Sequence, residues 1–127
     1  MKDINQIIHA EWKNLATDLI RQRTIIEATT PKLITPKPMR KYLVELATVA
    51  DMQIINGPYI YSAHELGYGG WIHWRTSGTH IYSYRTKPLP LITIDIYSCK
   101  CYDTKKVVEF TKDFFKAKEI VWKDIEI

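Results

Sequence analysis

The sequence predicts an α+β fold, a two-layer sandwich in which two helices cover one face of a mostly antiparallel sheet. Two segments carry apolar residues at helical spacing, and the segments around them have the β-branched and aromatic content, or the strict alternation, that is typical of strands. The predicted order is strand, helix, several strands, helix, strand, which suits two helices packed side by side on a sheet. A length of 127 residues fits one domain, and we expect it to span residues 1–127.

The N-terminal part is predicted to contain one strand and one helix. Residues 5–12, NQIIHAEW, are β-branched and aromatic enough for a strand. Three prolines within residues 29–38 indicate a connection, and Pro38 is well placed to begin a helix. Residues 38–51 should form an amphipathic helix, because apolar side chains recur there at helical spacing: Met39, Tyr42, Leu43, Leu46, Ala47 and Ala50.

The central segment is predicted to be rich in strands. Short strand pieces at residues 52–55 and 59–61 flank Gly57-Pro58. The segment HELGYGG, residues 64–70, follows. Its three glycines indicate unusual backbone angles or a close approach to a ligand.

A hairpin and a long strand come next. Residues 71–75 and 79–84 form two strands in this prediction, joined by a turn at Ser77-Gly78. Residues 91–101 alternate cleanly between two faces. One face carries Ile92, Ile94, Ile96 and Ser98, and the other carries Thr93, Asp95, Tyr97 and Cys99.

The C-terminal part is predicted to form a helix and a last strand. Asp103 can cap a helix over residues 104–117, whose buried side is marked by Val107, Phe110, Thr111 and Phe114. Residues 119–127 then close the sheet. These ferredoxin-like elements place both helices on one face, so we expect the other face to meet a partner subunit or a ligand.

The charge and hydropathy of the chain argue against several classes of function. The net charge of +4 is only mildly basic, and no run of Lys and Arg exceeds two residues, so we expect no nucleic acid partner. No segment approaches the ~20 apolar residues of a membrane span. Met1-Lys2-Asp3 leads into no apolar core of signal-peptide length. We therefore expect a cytoplasmic protein with no membrane partner.

The two cysteines do not indicate a structural framework. Cys99 and Cys101 are too few and too close together for a set of disulfides. A Cys-x-Cys pair alone is also weak support for zinc, which normally has about four ligands. We expect two reduced thiols and no metal site.

Five short motifs carry a resemblance to a known family. They are Ala10-Glu11-Trp12, Leu66-Gly67-Tyr68-Gly69, Thr79-His80-Ile81, Ile94-Asp95-Ile96-Tyr97-Ser98-Cys99 and Asp113-Phe114-Phe115. In this order and spacing they resemble the small prokaryotic S-adenosylmethionine decarboxylases over nearly the whole chain. The resemblance places Ala10-Glu11-Trp12 on the first strand.

In that family a serine directly before the histidine matching His80 becomes a pyruvoyl group by self-cleavage, and this group is the electron sink for decarboxylation. Here Thr79 stands at the serine position, and Tyr84 stands at the position of a histidine that assists processing. By resemblance, Cys99 matches a proton-donating cysteine, and Glu11 matches an acid near the substrate. Tyrosine, with an ordinary pKa of about 10, is a poor substitute for a histidine of about 6.5. We therefore expect the scaffold to be kept, the pyruvoyl group to be lost, and no cofactor to be used.

The scaffold without a pyruvoyl group can still act on S-adenosylmethionine. The carboxylate of this substrate can attack its own γ-carbon, which releases 5′-methylthioadenosine and homoserine lactone, so the enzyme has only to orient the methionine part. Phage lyases of this kind are small trimers with sites between subunits. A related activity degrades SAM-AMP, the conjugate of S-adenosylmethionine with AMP that serves as a signal in antiviral (CRISPR) defence.

This resemblance implies a lyase for S-adenosylmethionine or SAM-AMP that forms a homo-oligomer, most simply a trimer. Two alternatives stay open. One is a self-processing, pyruvoyl-dependent decarboxylase that uses Thr79, and the other is a non-catalytic module that binds S-adenosylmethionine.

Three residues are predicted to be catalytic. Glu65, in the glycine-rich segment, would hold the substrate α-ammonium group, and its alternative is an exposed loop acid. Glu11 is predicted at the centre of a strand, where an acid is costly unless it is paired. Tyr84 could act as a general acid or base, or could simply pack.

Aromatic faces suit both an adenine ring and a sulfonium ion. The aromatic residues of this segment are Tyr59, Tyr61, Tyr68, Trp71 and Trp74, and for most of them ordinary packing is the alternative. Arg75, Arg85 and Lys87 could meet the phosphate of a nucleotide conjugate or could be solvated charges. The predicted substrate-binding residues are Tyr59, Tyr61, Tyr68, Trp74, Thr79, His80, Asp95 and Cys99.

Overall fold

The structure, a computed structural model, describes residues 6–126 as one six-stranded sheet with two helices. The elements are β1 (Gln22–Thr29), α1 (Pro36–Val49), β2 (Ile54–Ser62), a short 3₁₀ turn (His64–Leu66), β3 (Gly67–Trp74), β4 (Ser77–Tyr84), β5 (Leu91–Ser98), α2 (Thr104–Phe115) and β6 (Glu119–Asp124). The strand order is β2-β3-β4-β5-β1-β6, and every neighbouring pair is antiparallel. This confirms the predicted α+β sandwich.

The first helix packs against β2 and β3 through the apolar stripe that the sequence predicts. The buried residues of α1 are Met39, Tyr42, Leu43, Leu46 and Ala47. The helix begins at Pro36, two residues earlier than predicted. Either proline is acceptable in a first turn, because the N–H groups there have no partner within the helix.

The second helix packs against β1, β6 and α1, and the predicted cap is confirmed. The Asp103 carboxylate accepts a hydrogen bond from the Lys106 N–H at 3.2 Å. The helix ends at Phe115, where Lys116 takes a left-handed conformation with φ of 53° and the Ala117 N–H bonds to the Lys112 carbonyl.

Tyr42 joins the two helices at the centre of the core. Its hydroxyl lies 2.7 Å from Thr111 Oγ1, and its ring centroid lies 4.6 Å from that of Phe115 and 5.4 Å from that of Phe110. Complete burial raises the pKa of Tyr42, so the phenol stays protonated.

The sheet turns one side of each central strand towards the helices. On β5 the buried residues are Ile92, Ile94, Ile96 and Ser98, as the alternation predicts. On β4 the same side carries Thr79, Ile81 and Ser83. His80, Tyr82 and Tyr84 therefore face away from the helices, because side chains alternate along a strand.

The predicted first strand is wrong. Residues 6–12 form no strand, and Asn5 lies outside the described residues. The true first strand is Gln22–Thr29, for which no strand was predicted, and it pairs with both β5 and β6. Residues 6–12 have suitable side chains but no neighbouring strand to pair with, and strand propensity depends on such neighbours.

The hairpin turn is also displaced from the prediction. The turn is Arg75-Thr76, and Ser77 and Gly78 already belong to β4. Gly78 is needed for a different reason, since a Cβ there would lie 2.3 Å from the Ile72 carbonyl oxygen of β3.

Two strand boundaries differ from the predictions in smaller ways. The two predicted pieces around Gly57-Pro58 form the single strand β2, which is interrupted by register shifts near Asn56. Strand β5 ends at Ser98, which leaves Cys99 one residue beyond it rather than on its outer face. Both cysteines are free and exposed.

Candidate functional site

Neither helix covers the second face of the sheet, which we call the open face. Its side chains alternate with the buried ones and are mostly aromatic or charged. Across the strands they are Tyr59 and Tyr61, Trp71 and His73, His80, Tyr82 and Tyr84, Thr93, Asp95 and Tyr97, and Arg23, Ile25 and Glu27. So many half-exposed aromatic side chains on one surface mark it as the candidate site.

One row of the open face is centred on His80. His80 pairs with Trp71 of β3 on one side and with Asp95 of β5 on the other. The Trp71 ring centroid lies 4.7 Å from that of Tyr59 and 4.3 Å from that of His73. The row therefore places an imidazole between an aromatic group and a carboxylate.

The next row is centred on Tyr82 and contains a gap in the middle of β3. Tyr82 pairs with Gly69, and Gly69 pairs with Tyr61 of β2. A Cβ on Gly69 would lie only 2.4 Å from the Tyr61 Cζ and hydroxyl, so the Tyr61 ring lies across the β3 backbone. Partial burial first, and then the neighbouring Tyr61 hydroxyl, raise the pKa of Tyr82, which stays protonated at neutral pH.

We expect Gly69→Ala to destabilise the protein by about 0.5–1.5 kcal/mol, because the new methyl group forces the half-exposed Tyr61 ring to move aside. In a Tyr61→Ala background the same substitution meets no ring and should change the stability by no more than about 0.5 kcal/mol. Urea unfolding of the four proteins measures both effects. An equal cost in the two backgrounds would contradict the placement of Tyr61.

Three aromatic rings follow one another along β4. The His80 and Tyr82 centroids are 6.4 Å apart with an angle of 9° between the ring planes. The Tyr82 and Tyr84 centroids are 6.2 Å apart with an angle of 22°. These spacings arise because residues i and i+2 of a strand point to the same side, about 6.6 Å apart.

The structure divides the predicted substrate-binding residues between the two faces. Tyr59, Tyr61, His80 and Asp95 lie on the open face, together with the predicted catalytic residue Tyr84. The other face carries Tyr68, Trp74 and Thr79. Trp74 is 1% exposed and Thr79 is 2% exposed, so both belong to the core side of the sheet.

Two of the open-face residues that the sequence reasoning missed bear on the site. Tyr82 stands between the predicted residues His80 and Tyr84 on β4, and the alternation of that strand was signal enough to find it. Glu27 was missed because its strand was not predicted. It faces the same side as Tyr82 and is separated from it by Thr93 alone.

The two predicted catalytic acids lie at opposite ends of the sheet. Glu65 is exposed in the 3₁₀ turn directly before Gly67, which pairs with Tyr84. Glu11 is exposed in the segment that precedes β1 and forms no strand. Its neighbour Trp12 lines a cavity with Arg23, which lies at the other end of the strands. The six residue-to-residue steps from Arg23 to Thr29 span roughly 20 Å. One chain therefore does not bring these acids together.

A cavity of about 390 Å³ lies at the turn end of β3 and β4. Its lining consists of Ile55, His73, Trp74, Ser77, Gly78, Thr79, His80 and Tyr97. Two of these residues have buried polar atoms without a hydrogen-bond partner among residues 6–126, namely Trp74 Nε1 and Thr79 Oγ1. No base is therefore positioned on the Thr79 hydroxyl by the described part of the chain.

A larger cavity, of about 490 Å³, lies between the segment that precedes β1 and the end of β6. Arg21 and Asp124 are among its lining residues, but none of the predicted site residues is. Within residues 6–126, no three His, Cys, Asp or Glu side chains are grouped to hold a metal ion. Neither helix of this part of the chain has the length and apolar character needed to cross a membrane.

Comparison with known proteins identifies what this fold is similar to. A family model described as S-adenosylmethionine decarboxylase matches residues 22–126. Among solved structures, the adenosylmethionine decarboxylase from Aquifex aeolicus VF5 has a TM-score of 0.64 and 16% sequence identity, and the match covers 85% of this chain and 90% of that one. No curated protein matches the chain significantly.

The range of the family match corrects the alignment that was predicted from the motifs. The match begins at Gln22, so Ala10-Glu11-Trp12 lies outside it and on no strand. The acid on the observed first strand is Glu27, which faces the open side of the sheet. The structure therefore gives no support to the position predicted for Glu11.

Proposed function

Because the chain belongs to the S-adenosylmethionine decarboxylase family, we propose that it cleaves S-adenosylmethionine, or its AMP conjugate, as a carbon–sulfur lyase without a pyruvoyl group. A carboxylate oxygen of the substrate attacks its own γ-carbon while the bond from that carbon to sulfur breaks. The sulfur keeps the electron pair. The products are 5′-methylthioadenosine and homoserine lactone, and no proton has to move.

The observation that carries this proposal is the state of Thr79. Self-cleavage would require its hydroxyl to attack the Gly78 carbonyl carbon with help from a base. Thr79 Oγ1 is buried on the helix side and has no hydrogen-bond partner among the described residues. At the position of the assisting histidine stands Tyr84, on the opposite face. These features favour a reaction that needs no activated hydroxyl.

The open face offers what the lyase reaction needs. Half-exposed aromatic rings stabilise a sulfonium ion by cation–π attraction of about 0.5–1 kcal/mol each, which holds the substrate without strongly opposing the loss of its positive charge. Two exposed carboxylates, Asp95 and Glu27, face the same side as Tyr61 and Tyr82. Glu27 lies two strands from Tyr82, or roughly 10 Å, so it can bind the substrate α-ammonium while Tyr82 contacts the adenosyl part.

Orientation is the main contribution that we assign to these residues. A carboxylate that attacks its own γ-carbon must adopt a folded conformation, and fixing both ends of the methionine part selects that conformation. Glu65 remains a predicted second contact near the Tyr84 end of the face. Arg85 and Lys87 follow Tyr84 in the chain and could meet the phosphate of a conjugate.

A self-processing decarboxylase is the second candidate. It is favoured by the family match and by the position of Thr79 directly before His80. Cleavage before Thr79 would convert the chain into two pieces, residues 1–78 and 79–127. Intact mass spectrometry of the purified protein separates the candidates, since the lyase stays a single species near 14.9 kDa.

We expect Thr79→Val to keep the release of 5′-methylthioadenosine within about threefold of the wild-type rate. Valine has nearly the shape of threonine, and the removed hydroxyl has no hydrogen-bond partner among residues 6–126. Chromatography of reactions with S-adenosylmethionine and, separately, its AMP conjugate gives the rates. Formation of decarboxylated S-adenosylmethionine by the wild type, and its loss in the variant, would establish the decarboxylase instead.

The assembly that we propose is a homo-oligomer, with a trimer favoured. The open face is covered by neither helix and exposes Tyr59 and Tyr61, which suits a site shared between subunits. Light scattering after size-exclusion chromatography measures the state. A protein that is monomeric at assay concentrations, yet active, would rule out a shared site.

A further inference from the structure

We propose that residues 6–12, which we call the arm, add as an antiparallel strand to the free edge of β6 in a second copy of this chain. The inference goes beyond the proposed function and does not depend on it, because it concerns assembly rather than turnover. It rests on a segment that has the side chains of a strand without a partner, and on a strand edge that also lacks a partner within the described chain.

The arm has strand-forming side chains but none of the contacts of a strand. Its sequence, QIIHAEW, is rich in β-branched and aromatic residues. Every residue of the arm is exposed, with Ile8 at 92% and Trp12 at 69%. No backbone hydrogen bond joins the arm to the rest of residues 6–126. Large apolar side chains exposed together in this way mark a surface that binds a partner.

The free edge of β6 offers the backbone groups that such a strand needs. Strand β6 is the last in the strand order, so β1 occupies one of its edges and no strand of residues 6–126 occupies the other. Its Val121 and Trp122 side chains are 63% and 43% exposed. The opposite edge of the sheet, on β2, suits strand addition less well, because Pro58 has no N–H group and the register shifts near Asn56.

The two sides of β6 differ in polarity. Ile120 and Trp122 pair with the buried residues Ala28 and Ile26 of β1, so they face the helix side of the sheet. Lys123 alternates with them and faces the open side. A strand added to this edge should therefore carry apolar side chains towards the helix side and polar ones towards the open side.

The arm has this alternation. Ile8, Ala10 and Trp12 share one side of an extended chain, and His9 and Glu11 share the other. The apolar set belongs on the helix side of β6, because the reverse arrangement would place the Glu11 carboxylate among apolar groups without a partner.

One antiparallel register matches the side chains in size and in charge. It places Ala10 opposite Trp122, so the small residue leaves room for the large ring. His9 then lies opposite Lys123, and Glu11 lies diagonal to the same lysine. Diagonal neighbours on two strands are within reach of long side chains, so Glu11 and Lys123 attract each other across the interface.

A second copy suits the arm better than the β6 of its own chain. Trp12 lines a cavity with Ile125, so the arm joins its own chain beside the end of β6, where Asp124 pairs with Thr24 at the start of β1. Folded back along its own β6, the arm would therefore run parallel to that strand. Parallel pairs are slightly less stable, and every pair in this sheet is antiparallel. The arm of another copy is free to lie in the antiparallel direction.

Disulfide cross-linking tests both the register and the choice of partner. Residues directly opposite each other on antiparallel strands have Cα atoms roughly 4.5–5.5 Å apart, which a disulfide can bridge. With Cys99 and Cys101 replaced by serine, the full chain carrying His9→Cys and Lys123→Cys should form covalent species of two or more 14.9 kDa chains on oxidation with copper phenanthroline. His9→Cys with Lys41→Cys is the matched control, since Lys41 is an exposed lysine on α1.

Light scattering after size-exclusion chromatography tests the contribution of the apolar side chains. We expect Ile8→Asp combined with Trp12→Asp to weaken self-association at least about 100-fold, because two central apolar contacts are lost. Unfolding of the variant in urea should match that of the dissociated wild type, since both side chains are exposed in the single chain. Val44→Asp removes an exposed apolar side chain from α1 and should leave self-association unchanged.

Four results would overturn the proposal. The first is a wild-type protein that stays monomeric at millimolar chain concentration, and the second is an unchanged mass for the variant with both aspartates in the arm. The third is a cross-link between positions 9 and 123 within one chain, which would show the arm on its own β6. The fourth is equally efficient cross-linking of position 9 to positions 41 and 123.

Discussion

Replacing Glu27 by Gln should lower kcat/KM for S-adenosylmethionine cleavage roughly 10- to 150-fold. A hydrogen bond between the substrate ammonium and a carboxylate contributes about 1.5–3 kcal/mol, and each 1.4 kcal/mol corresponds to a factor of ten. Glu27 faces the open side of β1, where glutamine keeps the shape of the side chain but loses its charge. The rate of 5′-methylthioadenosine release measures the effect.

Glu109→Gln is the matched control for that experiment. Glu109 is exposed on α2, far from the open face, and its ion pair with Lys112 at 3.2 Å is a surface pair with little effect on stability. Glu11→Gln and Glu65→Gln complete the series and test the two acids that the sequence predicts. Activity of Glu27→Gln within threefold of wild type would remove Glu27 from the site.

Tyr42→Ala should destabilise the protein by about 3–5 kcal/mol, which is a large part of the stability of a domain of this size. Tyr42 is fully buried, and its ring contacts the rings of Phe110, Phe114 and Phe115. Removing it leaves a cavity between α1, α2 and the sheet. The free energy of unfolding in urea, followed by circular dichroism, measures the loss.

Tyr42→Phe separates the ring from the hydroxyl. It should cost only about 0.5–1.5 kcal/mol, because one hydrogen bond is lost while the ring contacts remain. The Thr111 hydroxyl stays satisfied, since it also donates to the Val107 carbonyl at 2.8 Å. Similar losses in the two variants would mean that the hydroxyl, and not the packing of the ring, makes the main contribution at this position.

The helices were predictable because their signal is local. Every buried position of α1 belongs to the apolar pattern with a period of 3.6 residues, and Asp103 marks the start of α2 as its N-cap. The strands were harder to predict, because the partner that a strand pairs with can lie anywhere in the chain. Residues 6–12 have strand-forming side chains and no partner, whereas Gln22–Thr29 mixes charged and apolar residues and is held between β5 and β6.

The part of the site that was predictable is the face to which each strand residue points, because successive side chains of a strand alternate between the two faces of the sheet. Asp95 was placed correctly on the face opposite Ile94 and Ile96, and the same rule applied to β4 would have separated Thr79 from His80. The Tyr61–Tyr82 neighbourhood was not predictable in this way. It depends on how β2, β3 and β4 pair and on Gly69 in the middle strand. No single stretch of sequence indicates that pairing.

The ring of Tyr61 above Gly69 couples the choice of amino acid at two positions eight residues apart. With tyrosine at position 61, a side chain at position 69 requires the ring to move aside, since a Cβ there would lie 2.4 Å from the ring as it stands. We therefore expect substitutions at these positions to occur together in related chains. A relative with alanine or a larger residue at the position of Gly69 should carry a small side chain at that of Tyr61. The tyrosine at the position of Tyr82 would then have no neighbouring phenol from β2.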